Sequence, residues 1–203
     1  MSTAGVRGRV GRPAGPGGDV RDALLRAAAT QFSATGYAGA SVRAILEDAG
    51  TTAPALYHHF TNKAGLYTAV AEAAYADVSG RFRAAADTAT DPLDRVEAVL
   101  DAVCDLRRDH PHVARFFGVI EQDLGRHPEL AELGAAQQCL ADFWGTLLGR
   151  APAGQVLAVR SIVEGFLRVG DETLTPAQLR AGAKALRTVV RAGLGRTCQD
   201  GQQ

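Results

Sequence analysis

Between Asp48 and Glu72 the chain carries no acidic side chain, and the same stretch holds His58, His59 and Lys63. A segment with cationic and proton-sharing groups and no carboxylates can approach a polyanion without repulsion. Thr52 and Asn62 within this stretch, and Ser41 seven residues before Asp48, stand at positions suited to starting helices. Each side chain is able to accept from an early backbone N–H, and a helix start offers free N–H groups and a partial positive charge to phosphate. The chemistry these residues suit is therefore phosphate contact, which positions a protein on nucleic acid without choosing a sequence.

Short helices must hold these groups in place. Leu25, Ala28, Ala29 and Phe32 recur at helical spacing from about Asp19 to Ala34, and Gly36 is placed to end that first helix. Ser41 caps a second helix, with Val42, Ile45, Leu46 and Ala49 at i, i+3, i+4 and i+7, and Gly50 stops it. Thr52 caps a short third helix, where Pro54 lies in the first turn and Leu56, Tyr57 and Phe60 supply the inward side. Asn62 caps a fourth, with Leu66, Val70, Ala73, Val78 and Phe82 along its apolar side. The second and third helices, joined by a tight turn at Gly50–Thr51, have the arrangement of a helix-turn-helix over about residues 41–60, in which the second helix of the pair enters the major groove.

Beyond Asp91 the apolar stripes remain helical. Leu93, Val96, Leu100 and Val103 form one, followed by Val113, Phe116, Phe117, Ile120 and Leu124, and then by Leu130, Leu133, Leu140, Trp144 and Leu147. Two more helices follow, one through Val156, Val159, Ile162, Val163, Phe166 and Leu167 and the other through Leu179, Leu186, Val189, Val190 and Leu194, with a polar turn around Asp171 to Pro176. The fold class expected is all-α: a helix-turn-helix bundle of three to four helices over 19–80, then a helical domain over 81–203. With 46% apolar residues the chain has material for a buried core, and no run is long enough to span a membrane.

Lys+Arg and Asp+Glu balance at 22 each, so overall charge says nothing about a nucleic-acid partner. Residues 19–80 hold four basic against six acidic side chains, and it is the acid-free gap within them that carries the information. Cys104, Cys139 and Cys198 are scattered without metal or disulfide spacing and read as packing residues. His110 and His112 flank Pro111 as a helix start rather than a metal site. No nucleophile elbow, phosphate loop, HExxH or carboxylate pair is present, so neither an enzyme nor a bound cofactor or metal is expected. Without an apolar leader after Met1, the expected location is the cytoplasm.

The run from Phe32 through Gly36-Tyr37, Ser41-Val42-Arg43, Ile45, Ala49-Gly50, Leu56-Tyr57-His58-His59-Phe60, Asn62-Lys63 and Leu66 resembles the N-terminal signature of the TetR family. The resemblance covers roughly a quarter of the chain closely. It implies a homodimeric regulator whose recognition helices read a double-stranded operator, with a larger C-terminal domain that holds a small-molecule effector. By this analogy Thr51, Thr52, Ala53, Pro54 and Ala55 lie nearest the base edges. Tyr57, His58 and Lys63 match phosphate-contacting positions, and Ser41, Val42 and Arg43 stand where the second helix reaches the flanking backbone. The chain departs from the pattern with Pro54-Ala55 in place of Gly and Ser/Thr, and with Ala64-Gly65 in place of an acidic residue after the lysine.

Ala53, Pro54 and Ala55 have no hydrogen-bonding side chain, so base reading rests on apolar contact, Thr51, Thr52, Arg43 and DNA shape. Phe116, Phe117, Phe143 and Trp144, with Leu100, Cys104 and Ile120, either line an effector pocket suited to an apolar or aromatic molecule or form plain core. The last two helices are expected to form the homodimer interface, as their counterparts do in the family. Residues 1–18, with Arg7, Arg9 and Arg12 among Gly and Pro, read as a basic tail that is either solvated or an arm for the minor groove.

Overall fold

A computed structural model of the protein describes residues 16–168 and 175–195. The arginines of the basic tail, the turn at Asp171 and Cys198 lie outside the described residues. Among the described residues the structure is helical and contains no strand.

The N-terminal bundle comprises α1 (Pro16–Gly39), α2 (Val42–Asp48), α3 (Ala53–His59) and the first half of α4 (Lys63–Ala86). Helix α1 begins three residues before the expected start at Asp19 and bends sharply at Gly36, whose φ of 70° is open to glycine at no steric cost. The expected helix end is thus a change of direction, after which one more turn runs to Gly39. Leu24, Ala28 and Phe32 of α1 are fully buried with Ile45, Leu56 and Leu66. Each leucine, isoleucine or phenylalanine among them contributes about 1.5–3 kcal/mol by leaving water.

The second half of the chain comprises α5 (Pro92–Asp109), α6 (Pro111–Arg126), a 3₁₀ turn (Pro128–Leu133), α7 (Gly134–Leu148), α8 (Ala153–Arg168) and α9 (Pro176–Gly195). Leu130 and Leu133, expected on the same stripe as Leu140, occupy the 3₁₀ turn and are buried there. Asp91 caps α5 by accepting from the N–H groups of Leu93 at 2.8 Å and Asp94 at 3.4 Å. His110 precedes Pro111 at the start of α6, as the sequence suggests.

The two halves share one continuous core, because α4 runs through the expected boundary at residue 80 and is buried along its length. Its inward side includes Tyr67, Ala71 and Tyr75 as well as the anticipated leucine and valines, while Ala73 is exposed. Helix α1 packs against α6 as well as α4, so the N-terminal bundle rests directly on the C-terminal half. No helix of the described residues is long and apolar enough to cross a membrane.

Candidate nucleic-acid interface

Helix α2 starts where Ser41 accepts from the Ala44 N–H at 3.4 Å. It ends in a paired turn: the Gly50 N–H reaches Glu47 O at 3.2 Å and the Thr51 N–H reaches Leu46 O at 3.0 Å. This is the glycine-closed helix end in which a left-handed residue satisfies two late carbonyls, and Gly50 takes it with φ 60°. The chain then turns into α3. Thr52 occupies the cap position as anticipated, but its hydroxyl makes no capping bond. Pro54 lies in the first turn, where its missing N–H costs nothing.

Leu56 and Phe60 hold α3 inward, and the Arg21 guanidinium lies 5.5 Å from the Phe60 ring centre. Tyr57 is the correction to the expected inward side, because 56% of it is exposed. Leucine and phenylalanine four residues apart bury one stripe of this two-turn helix, and the residue after Leu56 points away from it.

The outward side carries Thr52, Ala53, Pro54, Tyr57 and His58, all exposed, with Thr51 and Ala55 half buried beside them. Ser41 and Arg43 are exposed at the start of α2, and Val42 is half buried against the core. Arg43 donates to Glu47 at 2.9 Å, one turn along the same helix. Both partners are solvated, so the pair is worth less than about 1 kcal/mol and is readily exchanged for another anion.

Lys63 begins α4 just after Asn62, whose Oδ1 accepts from the Gly65 N–H at 2.8 Å. Its ammonium donates to Ala38 O at 3.3 Å and lies 4.9 Å from the Tyr37 ring centre. Partial burial pulls this group below the ordinary lysine range, against the opposing field of Asp123. An ammonium has three donors, so one bond to Ala38 leaves others for phosphate. Lys63 therefore ties the end of α1 to the start of α4, a part the sequence did not announce.

Behind this junction lies a carboxylate that sequence reasoning passed over. Asp123 of α6 is buried, and one oxygen accepts from the Tyr37 N–H at 2.7 Å and the Tyr67 hydroxyl at 2.8 Å. Such bonds to a charged acceptor contribute about 1.5–3 kcal/mol each. Burial, and then the bond to Asp123, push the Tyr67 phenol well above its usual range, so it stays a proton donor.

Most of the seven residues expected to line a pocket are buried, with Cys104 half buried. They pack in rings: Phe143 lies 5.2 Å from Trp144, and Tyr75 4.8 Å from Phe117. Phe143 edges a cavity of about 230 Å³ between α4, α5 and α7, and Phe116 edges another of about 240 Å³ between α1, α4 and α6. A polar cleft of about 440 Å³ between α6, α7 and α8 contains none of the seven. Glu164 on its wall is buried and accepts from the Trp144 indole at 2.8 Å and from Arg168 at 2.7 Å.

Residues 24–70 match the family model described as bacterial regulatory proteins, tetR family. The HTH-type transcriptional activator FasR of Mycolicibacterium smegmatis is 29% identical over 181 residues, covering 85% of this chain and 81% of that protein. The HTH-type transcriptional repressor KstR2 of the same organism is 37% identical over 82 residues, 40% of each chain. Among solved structures, a transcriptional regulator from Rhodococcus sp. Rha1 superposes with a TM-score of 0.71 at 18% identity, over 85% of this chain and 96% of that one. The matched segment of the family model spans the α2–turn–α3 unit together with Lys63 and Tyr67, and the remaining helices follow the fold of these regulators. The chain belongs to the TetR family of DNA-binding transcriptional regulators, and is not an enzyme.

Proposed function

We propose that this regulator is a ligand-responsive repressor that acts in the cytoplasm and binds a palindromic operator as a homodimer. The observation that carries the reading is the outward face of α3, where Thr52, Tyr57 and His58 are exposed within a stretch free of acid while Leu56 and Phe60 hold the helix to the core. In this reading residues 19–80 are the DNA-reading unit and 81–203 the effector and dimerisation unit. Tyr57, His58, Lys63, Ser41 and Arg43 meet phosphate. Thr51 to Ala55 face the bases, with Val42 supporting the start of α2.

The dimer is formed by α8 and α9. Leu157 is 62% exposed and Val189 55%, and around them Gly154, Ala158, Ala181 and Ala185 are also exposed. Small residues beside two large apolar ones let helices of two copies approach closely in a four-helix, self-complementary contact. The effector is apolar or aromatic and enters among the aromatics of α6 and α7. It releases DNA only to the extent that it binds the non-DNA conformation better.

A footprint on the DNA upstream of the gene tests this reading. A protected palindrome that is lost when the effector is added supports it, and no protection at moderate salt contradicts it. A second reading, activation, is favoured by the name of FasR, a transcriptional activator. A promoter fusion separates the two: deletion of the gene raises expression under repression and lowers it under activation.

A further inference from the structure

Asp123 stands outside the DNA-reading unit yet makes its two shortest polar contacts within it, the Tyr37 N–H at 2.7 Å and the Tyr67 hydroxyl at 2.8 Å. These partners are 86 and 56 residues away in sequence. We propose that Asp123 is the positioning residue that fixes the DNA-reading unit on the C-terminal half, and that operator binding depends on it although it lies remote from the DNA face.

The geometry around it is built for one arrangement. At φ 70° the backbone of Gly36 turns out of α1, and this bend precedes the Tyr37 N–H bonded to the carboxylate. A Cβ on Gly36 would meet Asp123 Oδ1 at 3.3 Å, so glycine permits both the bend and the close approach. Tyr37 stands edge-on to Tyr67 at 5.3 Å and to His127 at 4.9 Å. Lys63 closes the other side through Ala38 O and the Tyr37 ring. A shift of α6 would therefore move the end of α1 and the start of α4 together, and α2 and α3 are the segments hung between them. A recognition helix displaced by an ångström loses alignment with base edges but not attraction to phosphate.

The test compares two duplexes of equal length, one enriched from a random library by the wild-type full-length chain and one of random sequence. Asp123→Leu keeps the branched four-atom shape, with bulkier methyls in place of the oxygens, and removes the acceptor. It is expected to bind the enriched duplex roughly tenfold more weakly, with random-duplex affinity and its salt slope unchanged. Asp123→Asn retains an acceptor oxygen and is expected to restore most of the lost affinity. Tyr67→Phe, which deletes one donor only and is the milder change, shows a smaller loss in the same direction. The proposal fails if Asp123→Leu and Tyr67→Phe both bind the enriched duplex as wild type does. It fails equally if both duplexes are lost in step with the melting temperature, since that is the signature of a purely structural role. If no duplex is enriched at all, the operator-binding reading fails first, and loss of Tyr37 amide protection from exchange in Asp123→Leu then decides whether the carboxylate holds the bend.

Discussion

Tyr57 and His58 expose a phenol and an imidazole on the side of α3 that the core leaves free, and neither is needed to hold the helix. Their replacement by Phe and Ala is expected to leave stability within about 0.5 kcal/mol of wild type. If they meet phosphate, both variants bind every duplex more weakly by a similar factor, while Tyr57→Phe, which removes no charge, leaves the salt slope as in wild type. Thr52 behaves differently. Because its hydroxyl caps nothing, Thr52→Ala should not change the melting temperature, and any change in operator preference is then a direct effect on reading. Asn62→Ala, by contrast, removes a 2.8 Å cap and should cost about 1 kcal/mol in a denaturant titration. Ser41, Pro54 and Asn62 were legible in the sequence because capping and first-turn chemistry are local. The direction of Tyr57 was not, since a two-turn helix has too few residues to fix its buried stripe. Asp123 gave no signal at all, because a single acidic residue on an amphipathic helix reads as solvated until its distant partners are known.

At the scale of elements, the turn between α2 and α3 depends on one backbone conformation. Nothing lies within 4 Å of a Cβ built on Gly50, so space is not the constraint; its φ of 60° is. Gly50→Ala is expected to cost about 1–2 kcal/mol and to be read as a lowered denaturant midpoint. Helices α5 and α9 are joined by Arg187 to Asp101 and by Arg191 to Glu97. The Arg191 hydrogen bond holds the Glu97 carboxyl below the ordinary glutamate range, against the opposing effect of burial. A depressed acid contributes stability that is present above its unfolded value, about pH 4.3, and lost as pH falls through the lower folded value. Acid titration of the wild type should therefore lose stability in that window, and Glu97→Gln should lose less there. Helix order and number followed from apolar periodicity, while the bend inside α1 and the 3₁₀ turn before α7 did not, because a stripe of leucines looks the same on either kind of turn.

At the scale of the whole molecule, the core that runs from Leu24 to Val190 leaves Leu157 of α8 and Val189 of α9 exposed, and in the proposed dimer these are the residues a second copy covers. Leu157→Glu with Val189→Glu is expected to give a folded monomer by sedimentation, with weak and uncooperative DNA binding. A dimer that survives both changes would place the interface elsewhere. The expected pocket was legible only as a set of aromatics, since whether large side chains pack together or stand apart is decided by helix spacing rather than by residue type. The proposed dimer makes one further demand, that the DNA repeat with the symmetry of the two recognition helices. Selection of duplexes from a random library by the full-length chain, followed by sequencing, measures this most directly. The account predicts an enriched palindrome with half-sites about one helical turn or a multiple apart. Enrichment of a single unrepeated site, or of no site, would contradict it.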